Sequence, residues 1–171
     1  VDDAIGRMFG MQENQPAPEP IDNCKAMAME QYFGLAAYWQ EQGYDFDPEE
    51  VGKESNNLVK YLDSALPFYQ DLGTPAAYQK KIDIMVDDCP IPVIGFIDLL
   101  YQDGDDKVVR DIKTTGRKPT LRPSVARQLA LYAHAENATP FVDYVYVTSR
   151  NSDVEVFPVD NWELHFNDVR Q

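Results

Sequence analysis

Hydrophobic residues recur at helical spacing in two segments of the first half of the chain. These segments, about 22–42 and 48–70, predict two long helices. Gly43 is expected to end the first helix, because glycine readily takes the left-handed conformation that follows a helix. Pro67 lacks a backbone N–H, so we expect it to break or kink the second helix near its end. The Gly- and Pro-containing stretch before residue 22 is predicted to be a loop or linker.

From residue 79 onward the hydrophobic pattern changes from helical to alternating. It predicts three strands, a helix, two more strands and a last helix. Their expected bounds are 79–87, 92–102, 107–115, 124–137, 141–148, 154–157 and 160–170. This order predicts an α/β fold with a central mixed β-sheet flanked by helices. We expect a single domain over 1–171, with a helical part over 1–75 and a core of sheet and helices over 76–171.

A two-residue turn at Gly104-Asp105 separates two of the predicted strands. Gly-Asp is typical of a tight β-hairpin, and such a turn sets the register of its strands. Residues equally distant from the turn then face each other, which places Asp98 opposite Asp111. Directly opposed side chains have Cβ atoms about 4.5–5.5 Å apart, so the two carboxylates are expected on one face of the sheet. Lys113 follows Asp111 by two residues and is expected on the same face.

Two carboxylates at this separation repel each other. At about 5 Å and an effective dielectric of about 20, the repulsion is about 3 kcal/mol. The apolar neighbours Phe96, Ile97 and Leu99 predict a buried setting in which water relieves little of it. A divalent cation would turn the repulsion into attraction, and oxygen ligands suit Mg²⁺ or Mn²⁺. Lys113 beside such a site can orient and help activate a water for attack on a phosphate.

The Asp-x-Lys tripeptide is weak support when taken alone. With 29 acidic residues and eight lysines in the chain, about one copy is expected by chance. A second copy does occur at 105–107, where we expect a solvated hairpin tip. Asp98 could also be a strand residue that faces solvent, in which case the two carboxylates would form no shared metal site. Chance does not readily supply Asp98 in an apolar strand together with Asp111 in cross-strand register and Lys113 on the same face.

The formal net charge of −14 argues against a generic nucleic-acid binder, because such proteins are usually basic. The distribution of charge changes that conclusion. Residues 110–127, the basic segment, contain six of the fifteen Lys and Arg residues, and Asp111 is the single acidic residue there. An acidic remainder would limit nonspecific affinity and guide an anionic ligand toward this segment.

Composition also bears on the cellular setting. The two cysteines, Cys24 and Cys89, are too few for a disulfide framework and lack the pairing of a zinc site, so we expect a reducing cytoplasm. No apolar run approaches a membrane span and no signal-peptide pattern occurs, so no membrane association is expected. A chain that starts at Val1 rather than Met is consistent with a fragment or a processed product.

Three stretches together resemble the PD-(D/E)XK nuclease superfamily, and specifically its RecB-like exonuclease branch, which has many phage-encoded members. They are Gly-Phe-Ile-Asp at 95–98, Val-Val-Arg-Asp-Ile-Lys-Thr-Thr at 108–115, and a Gln-x-x-x-Tyr motif at 128–132. The resemblance covers about residues 79–149, and the order and spacing make it more specific than any single piece. It implies a three-layer, restriction-endonuclease-like core and a Mg²⁺- or Mn²⁺-dependent DNA exonuclease.

The resemblance implies a role for each matching residue. Asp98 and Asp111 would bind the metal, and the backbone carbonyl of Ile112 would complete the set. Lys113 would position the nucleophilic water. The branch also has an upstream metal ligand on an early helix, in a pattern of a His and a Glu four residues later. This chain departs from that pattern, because the residue four before Glu30 is Ala26. We expect that ligand to be absent, replaced or lost with a missing N-terminal part. Glu30 is a candidate replacement, with an exposed helix acid as the alternative. His134 and His165 follow the Asp-x-Lys motif and are expected to be surface or packing residues.

Five further residues are candidates for DNA binding. Gln128 and Tyr132 share a helix face, and the resemblance implies that this face points at the active site and DNA. The alternative is a core-edge amide and a packed aromatic. Arg117, Lys118 and Arg122 lie in the loop before that helix, where they would contact phosphates without reading sequence. The alternative is an ordinary solvated basic loop.

Three functions therefore remain open on the sequence alone. The leading one is a DNA exonuclease of recombination, repair or phage DNA processing, with recombination or replication proteins as partners. A structure-specific endonuclease would use the same chemistry. A non-catalytic DNA- or protein-binding module that retains the fold is favoured by the incomplete upstream ligand set.

Overall fold

The computed structural model of the chain describes residues 1–14, 16–86 and 90–170. Contacts divide the chain into two compact units, of which the first consists of Val1–Gly73 and Val145–Val154 and the second of Thr74–Tyr144 and Glu155–Gln171. The prediction of a single domain stays a prediction. Cys89 and the predicted strand end at residue 87 lie outside the described residues. Among the residues described, no helix is long and apolar enough to cross a membrane.

The first unit contains three helices that contact one another, α1 (Asp2–Met8), α2 (Ile21–Glu41) and α3 (Pro48–Leu72). The sequence pattern does not predict α1, because a helix of 7 residues is too short to show a period. Its side chains are nevertheless part of the interior, since Ile5 is fully buried. The two long helices match their predicted segments closely.

Helix α3 continues past Pro67 to Leu72, so a break at that proline is wrong, and the alternative of a kink stays a prediction. The missing N–H of a proline removes one backbone hydrogen bond from a helix. Leu66 and Tyr69, which flank Pro67, are fully buried. Burial of side chains of this size stabilises by about 1.5–3 kcal/mol each, which offsets the lost bond.

A five-stranded mixed sheet with the order β1-β2-β3-β4-β5 confirms the predicted α/β class. Helix α4 (Pro123–Glu136) connects β3 to β4, and α5 (Trp162–Arg170) follows β5. The strands are β1 (Ala77–Ile84), β2 (Val93–Asp103), β3 (Asp106–Thr115), β4 (Thr139–Val147) and β5 (Ser152–Pro158).

Helix α4 packs against β1 and β3, and its buried side chains join a hydrophobic cluster with the sheet. Leu129 of α4 and Val109 and Val142 of the strands are all fully buried in this cluster. Side chains alternate between the two faces of a strand. Asp111 and Lys113 therefore project from the same face of β3 as Val109, toward α4.

The hairpin between β2 and β3 has the predicted turn, with Gly104 at φ 59°. This left-handed conformation favours glycine at the first position of a tight hairpin turn. The predicted register is confirmed as far as the last observed pair, and its next position holds Asp98 and Asp111. The observed pairs are Asp103–Asp106, Gln102–Lys107, Tyr101–Val108, Leu100–Val109 and Leu99–Arg110.

Glu136 at the end of α4 ties the helix to two strands. Its Oε1 lies 2.5 Å from Nζ of Lys80 on β1, and its Oε2 lies 3.3 Å from Nζ of Lys107 on β3. The glutamate side chain is 8% exposed. A buried carboxylate needs such partners, because its charge is costly without them. The ion pairs therefore hold α4 over the sheet that carries Asp111.

We expect Glu136→Gln to lower the free energy of unfolding at pH 7 by about 1–3 kcal/mol, since bonds to a charged partner contribute about that much. Burial raises the pKa of Glu136, but hydrogen bonds from Lys80 and Lys107 outweigh it and leave the pKa below the usual 4.5. The stabilisation is therefore complete above pH 4.5 and is lost as the pH falls through the lowered value. Urea unfolding at a series of pH values measures it.

Asp105→Asn serves as the control, because Asp105 is an exposed acid at the hairpin tip. It should change the unfolding free energy by less than about 0.5 kcal/mol. The assignment fails if the two variants are equally stable at pH 7, or if the loss in Glu136→Gln grows below pH 4.5.

Candidate active site

The carboxylate of Asp98 is held from both neighbouring strands. The side-chain amide of Gln79 on β1 donates to Oδ1 at 3.0 Å, and the backbone N–H of Ile112 on β3 donates to Oδ2 at 2.8 Å. Gln79 has a φ of 47°, a conformation that costs a residue other than glycine about 1–3 kcal/mol. Gln79 interrupts the β1–β2 ladder, which has regular pairs on either side of this residue. The orientation of Asp98 is thus set by contacts on either side.

Asp111 is 2% exposed, and Lys113 is its partner. The ammonium of Lys113 donates to Oδ1 at 3.0 Å and lies 2.7 Å from Oδ2. Oδ2 itself is buried and accepts no aligned hydrogen bond from the described residues. Burial raises the pKa of Asp111, and the hydrogen bond and charge of Lys113 act in the opposite direction. The site therefore contains a buried carboxylate oxygen whose close partner is the Lys113 ammonium.

Lys113 is the cation on which both carboxylates act. Burial lowers the pKa of Lys113, but the hydrogen bond and charge of Asp111, followed by the charge of Asp98, outweigh it and raise the pKa overall. Repulsion between the carboxylates is therefore partly offset by Lys113 itself. The expected buried setting is found for Asp111, Ile97 and Leu99. Asp98 is half-buried and Phe96 is 51% exposed, so the burial is incomplete.

Gln128 and Tyr132 on α4 face this site, one turn apart. The amide of Gln128 donates to Oη of Tyr132 at 2.8 Å and to Oδ1 of Asp111 at 3.5 Å. Tyr132 is only 7% exposed. It is thus both the packed aromatic of the alternative interpretation and a hydrogen-bonded neighbour of the site. The helix contributes an amide that reaches Asp111 directly.

Gly95 makes room for the Tyr132 ring. A Cβ at this position would lie 2.7 Å from Cε1 of Tyr132, closer than carbon atoms can pack. The ring in turn carries the hydroxyl that accepts from Gln128. The glycine of the 95–98 stretch therefore allows α4 to approach the sheet closely enough for Gln128 to reach Asp111.

The basic segment is not one continuous surface. Arg110 turns to the other face of β3, where its Nη1 lies 2.7 and 2.9 Å from the two carboxylate oxygens of Asp143. Its guanidinium also lies 5.1 Å from the centre of the Phe141 ring. Asp143 is fully buried, so this is an internal ion pair. Arg110 is therefore unavailable for DNA.

Arg117, Lys118 and Arg122 are exposed in the loop between β3 and α4, as the sequence predicts. They line a cleft beside the strand that carries Lys113. Their contact with DNA stays a prediction.

Glu30 is an exposed residue on α2 and belongs to the first unit, whereas the other candidates belong to the second. Its metal-binding role stays a prediction. His134 stacks on Phe166 with 4.0 Å between ring centres, which is the packing role expected of it. In the part of the chain that the structure describes, no three His, Cys, Asp or Glu side chains form a metal-binding group.

The donor chemistry at Asp98 and Asp111 fits a hard divalent cation. Mg²⁺ prefers oxygen ligands and is usually held by one or two carboxylates together with waters. Oδ2 of Asp111, buried and without an aligned hydrogen bond, is the kind of acceptor that such a cation satisfies. Two carboxylates on adjacent strands match in number the protein carboxylates that usually bind Mg²⁺.

Three residues of this arrangement are missed by the sequence prediction. Gln79 lies on β1, and no turn sequence specifies the register of that strand against β2. Asp143 has a signal, since it is the one charged residue in an apolar strand, but that signal does not name Arg110 as its partner. Gly95 lies inside the matched stretch, yet only its distance from Tyr132 gives it a function in packing.

Comparison with known proteins gives one family match. The PD-(D/E)XK nuclease superfamily matches residues 11–157. A solved structure described as "Crystal structure of SSO0001" is similar at 15% identity with a TM-score of 0.43. That match covers 82% of this chain and 65% of the other, so the chain spans less than two thirds of that structure's length. No curated protein matches the chain.

We expect Gly95→Ala to destabilise the protein by about 1–3 kcal/mol, because the added methyl displaces the Tyr132 ring in a packed interior. Tyr132→Leu in the same chain should recover part of that loss, since the smaller side chain leaves space for the methyl. A double-mutant cycle of unfolding free energies measures the coupling.

Gly116→Ala is the matched control, because a Cβ there would have no heavy atom within 4 Å. It should leave stability within about 0.5 kcal/mol of wild type. Additive effects of Gly95→Ala and Tyr132→Leu would mean that the glycine does not act through the ring.

Proposed function

The chain belongs to the PD-(D/E)XK nuclease superfamily, and on that premise we propose that it is a metal-dependent DNA exonuclease that uses Asp98, Asp111 and Lys113. The observation that carries the proposal is the ion pair between buried Asp111 and Lys113 next to Asp98. Its setting is a cytoplasmic pathway of recombination, repair or phage DNA processing, alongside recombination or replication proteins.

Asp98 and Asp111 are the residues that would hold Mg²⁺ or Mn²⁺, with the carbonyl of Ile112 as a further ligand. The cation supplies positive charge that stabilises the phosphate undergoing hydrolysis. Ile112 serves Asp98 in a second way, because its N–H donates to Oδ2. The residue that follows Asp111 in the chain is thus hydrogen-bonded to Asp98.

Lys113 is the residue that orients the attacking water. Its pKa is raised by Asp111 and Asp98, so the ammonium remains charged at neutral pH and acts as a hydrogen-bond donor. A positively charged donor beside the scissile phosphate also offsets charge that develops during attack. Gln128 keeps Asp111 in position through its 3.5 Å contact with Oδ1.

Two other functions share this geometry. A structure-specific endonuclease would use the same residues on a different form of DNA. A non-catalytic DNA- or protein-binding module is favoured by one observation, that the described residues offer two acidic side chains here and no group of three. Cleavage and metal binding are therefore tested separately.

We expect Lys113→Ala to reduce cleavage of linear DNA in Mg²⁺ or Mn²⁺ by at least about a hundredfold, because the water loses its positioning donor. Release of acid-soluble nucleotides over time measures the rate. Lys60→Ala, which removes an exposed lysine of α3, should cut at the wild-type rate.

Equal nucleotide release by wild type and Lys113→Ala would contradict the catalytic assignment. Closed circular DNA separates the two nuclease alternatives. An exonuclease leaves it intact, whereas an endonuclease opens it at a rate that depends on Lys113.

We also expect the wild type to bind Mn²⁺ and both Asp98→Asn and Asp111→Asn to weaken binding by at least about tenfold, since each removes a charged ligand. Calorimetric titration measures the affinity, and circular dichroism checks that each variant is folded. Asp105→Asn, at the hairpin tip, is the control. Unchanged affinity in both site variants would support the non-catalytic module.

A further inference from the structure

Two adjoining clefts lie on the α4 side of the sheet, beside the proposed catalytic residues. Their volumes are about 270 and 340 Å³, including the space open to solvent. They share three lining residues, Thr115, Arg122 and Tyr144, and the larger one is also lined by Lys113. The smaller one extends along the loop to Arg117 and Lys118. The clefts therefore form a path from Lys113 into the β3–α4 loop.

Lys113 is paired with Asp111, but the positive charge that the β3–α4 loop brings to these clefts is not neutralised by the described residues. Among the residues that the structure describes, Arg117, Lys118 and Arg122 have no ion-pair partner, in contrast to Arg110. The reason is local, because residues 112–135 contain no acidic side chain. Arg122 is also the N-cap of α4, where the helix dipole adds partial positive charge. The clefts thus carry unpaired positive charge.

Tyr144 gives an independent indication of a ligand. It is 5% exposed, and its hydroxyl oxygen is buried without a hydrogen-bond partner in the described structure. The ring is held edge-on against Phe157, with 5.7 Å between centres. A buried hydroxyl without a partner destabilises a protein. Its presence in the wall of a cationic cleft is explained if an anion accepts its hydrogen bond.

We propose that the clefts bind a phosphate group of the DNA strand, next to the phosphate that is cut at Lys113. Tyr144 donates one hydrogen bond, the hydroxyls of Thr115 and Thr120 are further donors, and Arg122 supplies charge. This inference rests on the proposed nuclease function for the identity of the ligand. It adds a second point of attachment that sets the strand relative to Lys113.

The test measures binding without cutting. A fluorescently labelled oligonucleotide is titrated in EDTA, and its anisotropy gives the dissociation constant at several salt concentrations. We expect Tyr144→Phe to bind about tenfold more weakly, because one hydrogen bond to a charged group is lost. The same variant should unfold at an equal or higher temperature, because it no longer contains a buried hydroxyl without a partner.

Tyr101→Phe is the matched control for the hydroxyl. The Tyr101 hydroxyl is also buried without a partner, but it does not line the clefts. We expect the control to match Tyr144→Phe in thermal stability and wild type in binding. If both variants bind alike, the hydroxyl of Tyr144 is structural and the inference is wrong.

Arg122→Ala tests the charge. It should weaken binding and reduce the slope of log affinity against log salt by about one, as loss of one phosphate contact does. Arg127→Ala is its control, since Arg127 is exposed on α4 and lines neither cleft. Equal effects of the two arginine variants would mean general attraction and would overturn the inference.

Inorganic phosphate, used as a competitor, distinguishes a phosphate group of DNA from free phosphate as the ligand of the clefts. It should displace the oligonucleotide from wild type more readily than from Tyr144→Phe. If phosphate binds through Tyr144 while oligonucleotide binding is indifferent to that residue, the assignment to DNA is wrong. Failure of the nuclease proposal has a different signature, in which Tyr144→Phe still weakens oligonucleotide binding but wild type cuts no DNA.

Discussion

The ion pair between Asp111 and Lys113 is the interaction on which the rest of the site depends. A carboxylate that is 2% exposed loses nearly all of its hydration, and the ammonium 2.7 Å from Oδ2 replaces it. Asp98 acts on the same lysine and raises its pKa further. Because strand alternation aims Asp111 and Lys113 at one face, the pair forms only where β3 is regular and α4 shields it. The site is thus a property of the sheet and not of a loop.

The charged side chains on the two faces of β3, the central strand, are paired differently. Arg110, between Val109 and Asp111 in sequence, forms a closed pair with Asp143 and is nearly buried. On the other face Lys113 pairs with Asp111, and the loop beyond it keeps Arg117, Lys118 and Arg122 exposed. An overall charge of −14 and a cationic surface are therefore compatible, because the acidic residues lie outside the stretch between Asp111 and Glu136. The electrostatics of the site come from local arrangement and not from net charge.

Helix α4 connects the sheet to the proposed DNA-binding residues. Gln128 reaches Asp111, and Tyr132 packs over Gly95. Glu136 ties the far end of the helix to Lys80 and Lys107. Motion of this helix would thus alter the site at one end and the ion pairs at the other. The packing of Gly95 explains how a residue without a side chain contributes to the arrangement of the candidate site.

The sequence by itself determined the α/β class, the hairpin register and the grouping of Asp98, Asp111 and Lys113. These depend on strand periodicity and a two-residue turn, which act over short distances along the chain. Only the tertiary structure decided the contact of Gln79 with Asp98, the pairing of Arg110 with Asp143 and the position of Tyr144. Each joins elements whose relative register no local pattern specifies, since long connections and helix packing set it. Local chemistry therefore predicted the candidate site, and packing across strands decided its orientation and surroundings.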